Sequence, residues 1–311
     1  MSDFKVINFM RTRKITALIS VIAIVASIVS ISVQGLNLGL DFSGGTLLEL
    51  QYDRPADVEE IRTDLVAQDL PSATVVYFGS DSDILIRVSD NLGQERAENI
   101  ARALAESSGA EIDLQRVEYV GPQVGEELRE DGGLGMVAAL LVVMLYVAVR
   151  FQYKFSIGAV AALFHDVIIT LGLFSIFRWE FDLTVLAALL AVIGYSLNDT
   201  IVVFDRIREN FRSLRGKDPE EVVNISLTQT LSRTIITGLT TLLVLVVLFI
   251  MGGEMIHYFS LALILGIIIG TYSSIFVASS LVLTLNIEGK DLVPPEDDDK
   301  SQEIVEEVPY S

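Results

Sequence analysis

The chain has 311 residues, of which 51% are hydrophobic, and its mean hydropathy of +0.52 is too high for an ordinary soluble domain. The formal net charge of −19 argues against binding to nucleic acid, which requires a basic surface. Cysteine is absent and only two histidines occur, so the composition excludes disulfides and thiolate catalysis and predicts neither a metal site nor a cofactor.

Six apolar runs are long enough to cross a membrane as helices, which predicts an α-helical membrane protein. The first run is longer than the core of a signal peptide, so it is interpreted as an uncleaved membrane helix. Lysine and arginine occur before the first run and after the second and the fourth, as far as Arg233. The positive-inside rule therefore places both termini in the cytoplasm. The runs cover residues 15–33, 134–149, 157–177, 183–204, 235–251 and 259–285.

Residues 36–133, between the first two runs, are predicted to form a domain on the outer side of the membrane. Alternating apolar residues predict four strands, at 46–52, 73–78, 83–88 and 113–120, and helical spacing predicts helices at 55–69 and 94–107. A loop at residues 79–82 is expected to join the second and third strands. The order β-α-β-β-α-β is that of the ferredoxin-like α+β sandwich. Such a fold is a scaffold and indicates no chemistry by itself.

The other boundaries follow from charge and from helix-start signals. Residues 1–35 hold the cytoplasmic N-terminus and the first helix, and residues 134–287 hold the other five membrane helices. An Asp-Pro-Glu-Glu sequence predicts the start of a short amphipathic helix along the cytoplasmic face, at residues 219–232. Residues 288–311 are strongly acidic, which predicts a disordered tail.

The sequence places Asp199 inside the fourth apolar run, roughly 8 Å from the charged end at ~1.5 Å per residue. A carboxylate inside a membrane costs about 3 kcal/mol on insertion scales, so its presence predicts a role in proton or ion handling. The alternative is a structural carboxylate that is hydrogen-bonded to a neighbouring helix. Three nearby polar residues, Asn198, Thr200 and Asp205, are predicted to support Asp199.

Three further charged or titratable residues are candidates for the same site. Asp166 lies in the middle of the third run and is predicted to share the proton relay, whereas for His165 a structural and a functional role are equally open. Arg233 begins the fifth run on the side at which the fourth run ends, which makes a charge pair with Asp199 geometrically reasonable. The alternative for Arg233 is a basic flank that only sets topology.

Glycine-bearing segments attach the outer domain at both of its ends, at residues 35–45 and 121–135. Glycine permits positive φ angles that other residues rarely adopt. Gly44 and Gly45 are therefore predicted to act as a hinge that lets the domain tilt when the helices below it rearrange. A plain tight turn is the alternative.

Five segments carry a resemblance to known proteins: LNLGLDFSGGT at 36–46, VEYVGPQVG at 117–125, ALFHDVIITLG at 162–172, IGYSLNDTIVVFDRIREN at 193–210 and SLTQTLSRTIIT at 226–237. Together they resemble the SecD/SecF family of bacterial protein-export membrane proteins, and its SecF members in particular. The family belongs to the resistance-nodulation-division superfamily of transporters. The resemblance runs from residue 36 to about residue 285, and the segment at 193–210 is highly specific.

The resemblance implies a subunit of the inner membrane with a ferredoxin-like periplasmic domain. It implies that the chain works with SecD, after the ATPase SecA and the SecYEG channel have passed a preprotein across, and uses the proton-motive force to promote translocation and periplasmic release. The membrane aspartate and arginine of the family fall on Asp199 and Arg233. Because this chain holds one six-helix unit, a separate SecD partner is expected.

Other functions remain open from the residues alone. A proton-coupled small-molecule exporter of the same superfamily is the alternative, although the outer domain offers no visible binding cleft. Asp166 and Asp199 on consecutive helices also suit an intramembrane aspartyl protease, but the GxGD motif typical of that chemistry is absent. The energetic cost of Asp199 argues against a purely structural anchor. We therefore expect a transport subunit and not an enzyme.

Overall fold

The computed structural model describes residues 6–78, 80–214 and 216–287 and is mostly helical. The predicted acidic tail at residues 288–311 lies outside the described residues. In chain order the elements are a 3-10 turn (Met10–Thr12), α1 (Arg13–Gln34), β1 (Asn37–Leu38), α2 (Leu40–Ser43), β2 (Gly45–Tyr52), α3 (Val58–Ala67), β3 (Thr74–Phe78), β4 (Ser80–Val88), α4 (Gln94–Ser108), β5 (Ile112–Val120), α5 (Pro122–Arg150), α6 (Tyr153–Phe177), β6 (Glu180–Phe181), α7 (Leu183–Ser213), α8 (Pro219–Met251), α9 (Glu254–Tyr272), a π-helix (Ser273–Ala278) and α10 (Ser279–Thr284).

Within the described residues, six helical segments are long and apolar enough to cross a membrane, which confirms the six predicted spans. Five of them are α1, α5, α6, α7 and α8, and the sixth is the continuous run of α9, the π-helix and α10. α6 and α7 are the most enclosed by their neighbours. Side chains on these two helices therefore lie at the centre of the membrane part.

The second span, predicted at 134–149 with an earlier start through the glycines at 132 and 133 as an alternative, lies in a helix that begins earlier than either, at Pro122. Proline fits the first position of a helix, where its missing N–H group would have no partner in any case. The glycines at 132, 133 and 135 cost about 1 kcal/mol each relative to alanine, which a long helix tolerates. The last part of the predicted outer domain is thus the first part of a membrane helix.

The separate amphipathic helix predicted at residues 219–232 is also wrong, because α8 runs from Pro219 to Met251 without a break. The predicted start is confirmed, since the Asp218 carboxylate accepts a hydrogen bond of 3.2 Å from the backbone N–H of Glu220. No glycine or proline occurs between residues 220 and 237. Nothing in the sequence therefore ends the helix before the apolar run begins.

The outer domain contains a four-stranded antiparallel sheet in the order β3-β4-β2-β5. α3 connects β2 to β3 and α4 connects β4 to β5, so the elements follow the predicted β-α-β-β-α-β order. β4 begins at Ser80, which makes the connection from β3 shorter than the loop predicted at 79–82.

One face of this sheet packs on the two helices. Leu48 and Leu50 of β2 point into this core because successive side chains of a strand alternate between the two faces. Ile61 of α3 and Ile100 of α4 pack in the same cluster. The opposite face of the sheet lies over the membrane helices, across a cleft that is lined by Leu47 and other residues of both parts.

The outer domain is fixed to the loop between α6 and α7. β1 pairs in parallel with β6, which lies in that loop. Phe42 of α2 stacks on Phe181 with 5.9 Å between ring centroids, and both belong to a buried cluster with Phe174 of α6. Arg87 of β4 forms an ion pair with Glu180. The domain therefore makes direct contact with the two helices that carry the membrane carboxylates.

Gly44 and Gly45, the predicted hinge, lie where backbone segments meet closely. Their φ angles are +67° and +129°, a region that favours glycine. A Cβ atom on Gly45 would lie 2.4 Å from the carbonyl oxygen of Val88, and one on Gly44 would lie 2.8 Å from Cα of Pro122. Close backbone contact is a sufficient reason for glycine at both positions, in agreement with the tight-turn alternative. The hinge stays a prediction.

We expect Gly45→Ala to lower the free energy of unfolding by at least about 2 kcal/mol, because the new Cβ meets backbone atoms at a positive φ. Thermal unfolding of the purified protein in detergent measures this effect. Gly135→Ala is the matched control, because a Cβ there meets nothing within 4 Å and the backbone is helical. An unfolding midpoint of Gly45→Ala equal to that of the wild type would show that the backbone at Val88 moves to accommodate the new Cβ at little energetic cost.

Candidate functional site

Two carboxylates lie among the membrane helices, Asp166 on α6 and Asp199 on α7. Asp166 is 1% exposed, whereas Asp199 is only partly buried. The last spanning segment passes close to α7, since a Cβ atom on Gly270 would lie 3.0 Å from Cβ of Ser196. The residues that follow Gly270 can therefore reach both carboxylates with short side chains.

Asp166 is held by groups from three helical segments. Its Oδ1 lies 2.8 Å from Nδ1 of His165. Its Oδ2 accepts hydrogen bonds from Ser196 of α7 and, at 2.8 Å, from Ser273 of the π-helix. Hydrogen bonds to a carboxylate are among the stronger ones in proteins, so these groups compensate part of the cost of burying the charge.

His165 connects the same site to α1. Its Nε2 lies 3.2 Å from Oγ of Ser20, and its ring stacks on Tyr272 with 5.9 Å between centroids. The Tyr272 hydroxyl donates to the backbone carbonyl of Thr16 at 2.8 Å. His165 and Asp166 face different neighbours because adjacent side chains on a helix are about 100° apart. His165 thus links α1 to a carboxylate that faces α7 and the π-helix.

Asp199 is held by hydroxyl groups on both of its oxygens. Oδ1 accepts a hydrogen bond of 2.6 Å from Thr234 of α8, and Oδ2 accepts one of 2.7 Å from Ser274 of the π-helix. These lengths are typical of hydroxyl groups that donate to a carboxylate. Asp199 therefore joins α7 to α8 and to the last spanning segment.

The predicted charge pair between Arg233 and Asp199 is wrong for this structure. The Arg233 side chain is exposed, and within the described ranges no carboxylate lies at ion-pair distance from it. Thr234 occupies the face of α8 that meets Asp199. The preceding side chain points about 100° away around the helix, so Arg233 lies on the outer surface of α8.

The other polar residues predicted to support Asp199 lie apart from its hydrogen bonds. Asn198 is exposed on α7, whereas Thr200 is buried. Asp205 lies at the charged end of the span, where Arg150 and Arg208 both approach it to 3.5 Å. These three residues are therefore distributed over the surface, the interior and the charged end of α7.

The serines that complete the two sites were not predicted from the sequence: Ser196 and Ser273 contact Asp166, and Ser274 contacts Asp199. Serine is common in apolar helices because it is small, and no local pattern shows which helix it faces. The available signal was the Gly266-x-x-x-Gly270 motif, which predicts close helix packing and is followed one turn later by Ser273 and Ser274. A hydroxyl on a closely packed face is a natural partner for a carboxylate on the next helix.

This arrangement can bind and release protons. A carboxylate that accepts hydroxyl hydrogen bonds can stay ionised in an apolar environment, and a bound proton removes the cost of its charge. Asp199 has no cation in contact within the described residues and is the more accessible of the two carboxylates. In the same part of the chain, no cluster of three His, Asp or Glu side chains is arranged to hold a metal ion.

Comparison with known proteins identifies similar sequences over nearly the whole chain. Residues 99–288 match the family described as protein export membrane protein SecD/SecF, C-terminal, and residues 29–56 match the SecD/SecF GG motif. The protein translocase subunit SecF of Vibrio alginolyticus is 50% identical over 305 residues, which cover 97% of this chain and 97% of that protein. The subunit of the same name from Pseudomonas aeruginosa is 50% identical over 291 residues, covering 93% and 95%.

A solved structure has a similar fold. The crystal structure of SecDF, a translocon-associated membrane protein from Thermus thermophilus, superimposes with a TM-score of 0.82 at 36% identity. The match covers 90% of this chain but only 39% of the SecDF chain. This chain therefore corresponds to well under half of that longer protein.

We expect Asp166→Ala to lower the free energy of unfolding by about 3 kcal/mol, because Ser196, Ser273 and His165 lose a shared buried partner. Thermal unfolding in detergent measures the loss. Asp205→Ala is the control, since Asp205 is only partly buried and its ion pairs are worth less than about 1 kcal/mol each. Equal unfolding midpoints for the two variants would contradict a structural cost specific to the buried network.

Proposed function

The chain belongs to the SecD/SecF family of protein-export membrane proteins, and we propose that it is the SecF subunit of the bacterial Sec machinery. The family profile matches 99–288, and two relatives named as SecF translocase subunits align with 97% and 93% of the chain. The activity is transport, in which the subunit promotes translocation of preproteins and their release.

We propose that SecD supplies the part of the assembly that this chain lacks. The solved SecDF chain is longer, and this chain covers 39% of it. The exposed side chains of Asn198 and Arg233 support a partner, because an amide and a guanidinium on the surface of membrane helices are costly in contact with lipid. In the export pathway the partners are then SecD, the SecYEG channel, SecA and the preprotein.

The proposed location is the bacterial inner membrane, with both termini in the cytoplasm. The six spans make the chain a multi-pass membrane protein. The basic residues beside the spans support the orientation. The sheet order β3-β4-β2-β5 with two helices on one face supports a ferredoxin-like domain, which this orientation puts in the periplasm.

We propose that proton binding at Asp199 drives the working cycle, with Asp166 and His165 as a second, more deeply buried part of the relay. The observation that carries this proposal is the half-buried Asp199 carboxylate, which is held by hydroxyl groups and, among the residues that the structure describes, contacts no cation. A proton on Asp199 converts a charged acceptor into a neutral carboxyl group, which weakens the hydrogen bond from Thr234 of α8. Binding and release of a proton thus change how tightly α7 holds its neighbours.

The loop between α6 and α7 offers a path from this site to the outer domain. Phe42 and Arg87 hold the domain to Phe181 and Glu180 of that loop. A shift of α7 therefore acts directly on the base of the domain. Because its sheet is continuous, the domain moves as one body.

We expect Asp199→Asn to abolish the component of preprotein export that depends on the proton gradient, because the amide keeps the shape of the side chain and removes the proton site. Export into membrane vesicles that contain the complete machinery, measured with and without a proton gradient, tests this. The variant is expected to copurify with SecD as the wild type does. Asp205→Asn, on the same helix but at its charged end, is the matched control and is expected to retain the gradient-dependent component.

Undiminished gradient-dependent export by Asp199→Asn would refute the role of this carboxylate. Failure of the wild-type chain to copurify with SecD would refute the assignment as a Sec subunit.

A further inference from the structure

The last spanning segment changes its hydrogen-bonding pattern in the middle of the membrane part. A π-helix at Ser273–Ala278 separates α9 from α10. π-Helical turns are rare and occur frequently at functional sites. The turn begins with Ser273 and Ser274, which are both fully buried.

The two serines donate to different carboxylates on different helices. Ser273 lies 2.8 Å from Oδ2 of Asp166 on α6, and Ser274 lies 2.7 Å from Oδ2 of Asp199 on α7. Neighbouring residues of one irregular turn thus contact both membrane carboxylates. No other pair of adjacent residues in the described part of the chain does this.

Each serine also has a second acceptor within its own segment. The Ser273 hydroxyl lies 3.1 Å from the carbonyl oxygen of Gly270, and the Ser274 hydroxyl lies 3.0 Å from that of Thr271. A hydroxyl group has one proton to donate. It donates to the carboxylate while the carboxylate is charged, because that bond is the stronger. When the carboxylate takes up a proton, the hydroxyl is free to donate to the backbone carbonyl.

We infer that Ser273 and Ser274 are positioning residues through which the π-helix responds to the charge on Asp166 and Asp199. Serine hydroxyls that bond to a carbonyl one turn earlier bend helices. The exchange of acceptors therefore changes the geometry of the segment at the point where its hydrogen bonding is already irregular. This inference deepens the proposed function and rests on it.

The titratable groups around the turn come from several elements. They are His165 and Asp166 on α6, Tyr195 and Asp199 on α7, and Tyr272 on α9. On α8, Arg233 is next to Thr234 in the sequence, but its side chain is exposed. The side chain of α1 that contacts this region is Ser20, which carries no charge. The two carboxylates are therefore the groups whose charge the serine hydroxyls meet directly.

α9 connects the turn to the base of the outer domain. The ring of Tyr258, near the start of α9, lies 6.4 Å from that of Phe174. Phe174 belongs to the buried cluster that contains Phe42 of the outer domain. From Tyr258 to Ser273 the segment spans roughly 22 Å at ~1.5 Å per residue. A bend at the turn can thus move side chains that support the domain.

The test compares Ser273→Ala and Ser274→Ala with Ser260→Ala in the complete membrane-embedded machinery. Ser260 lies on α9 and is fully buried, and its hydroxyl has no partner within the described residues, so its removal leaves no carboxylate without a donor. Export of a preprotein into vesicles is measured over a range of pH, with and without a proton gradient.

We expect each of the two variants at the turn to lose the gradient-dependent component by about tenfold, which corresponds to one hydrogen bond to a charged group. The pH dependence of that component is expected to shift relative to the wild type, because a donor to the ionised carboxylate is gone. Ser260→Ala is expected to keep the wild-type value and pH dependence. If Ser274→Ala does not accumulate in the membrane, Ser274→Gly removes the same hydroxyl and is judged by the same outcomes.

The inference is overturned if Ser273→Ala and Ser274→Ala behave as Ser260→Ala does. It is also overturned if their export falls by the same factor at every pH, with and without the gradient, because that result indicates a structural defect alone. A wild-type machinery without any gradient-dependent component would refute the proposed function, and this outcome is separate from a failure of the serine variants.

Discussion

A charged carboxylate inside a helix bundle in a membrane has to be solvated by the protein itself. The cost of placing it there is about 3 kcal/mol on insertion scales. One hydrogen bond to a charged group returns roughly 1.5–3 kcal/mol, so two hydroxyl donors offset much of this cost. Asp199 has two such donors, from α8 and the π-helix. Asp166 has two serine donors and a histidine. The requirement for donors therefore determines which helices lie next to each other.

Serine and threonine side chains are short, so this solvation requires helices that approach closely. The glycines of the bundle meet this requirement. A Cβ on Gly172 would lie 2.0 Å from Oγ of Ser27, which brings α1 against α6, and Gly270 brings α9 against α7 at Ser196. The same central helices carry the outer domain through the loop at Phe181. The membrane carboxylates and the support of the outer domain thus belong to one structural unit, as the proposed coupling requires.

The spans and the order of elements in the outer domain could be predicted, because hydrophobic periodicity is a local property of the sequence. The start of α5 at Pro122 and the continuity of α8 beyond residue 232 could be predicted less well, since long helices tolerate glycine and polar residues that local rules treat as breaks. The carboxylates were identifiable from their cost in a membrane. The partners of the carboxylates were not identifiable. Arg233 was suggested because it lies at a similar depth in the membrane to Asp199, but adjacent side chains on a helix are about 100° apart, and the one that faces Asp199 is Thr234.

Under the proposed function, Asp199 gains and loses a proton in the folded, membrane-embedded protein. Infrared difference spectroscopy of the purified complex in lipid, recorded as the pH is changed, measures the carbonyl stretch of protonated carboxyl groups. If Asp199 takes up a proton, a band appears on acidification in the wild type and is absent in Asp199→Asn. An identical set of bands in both proteins would contradict it.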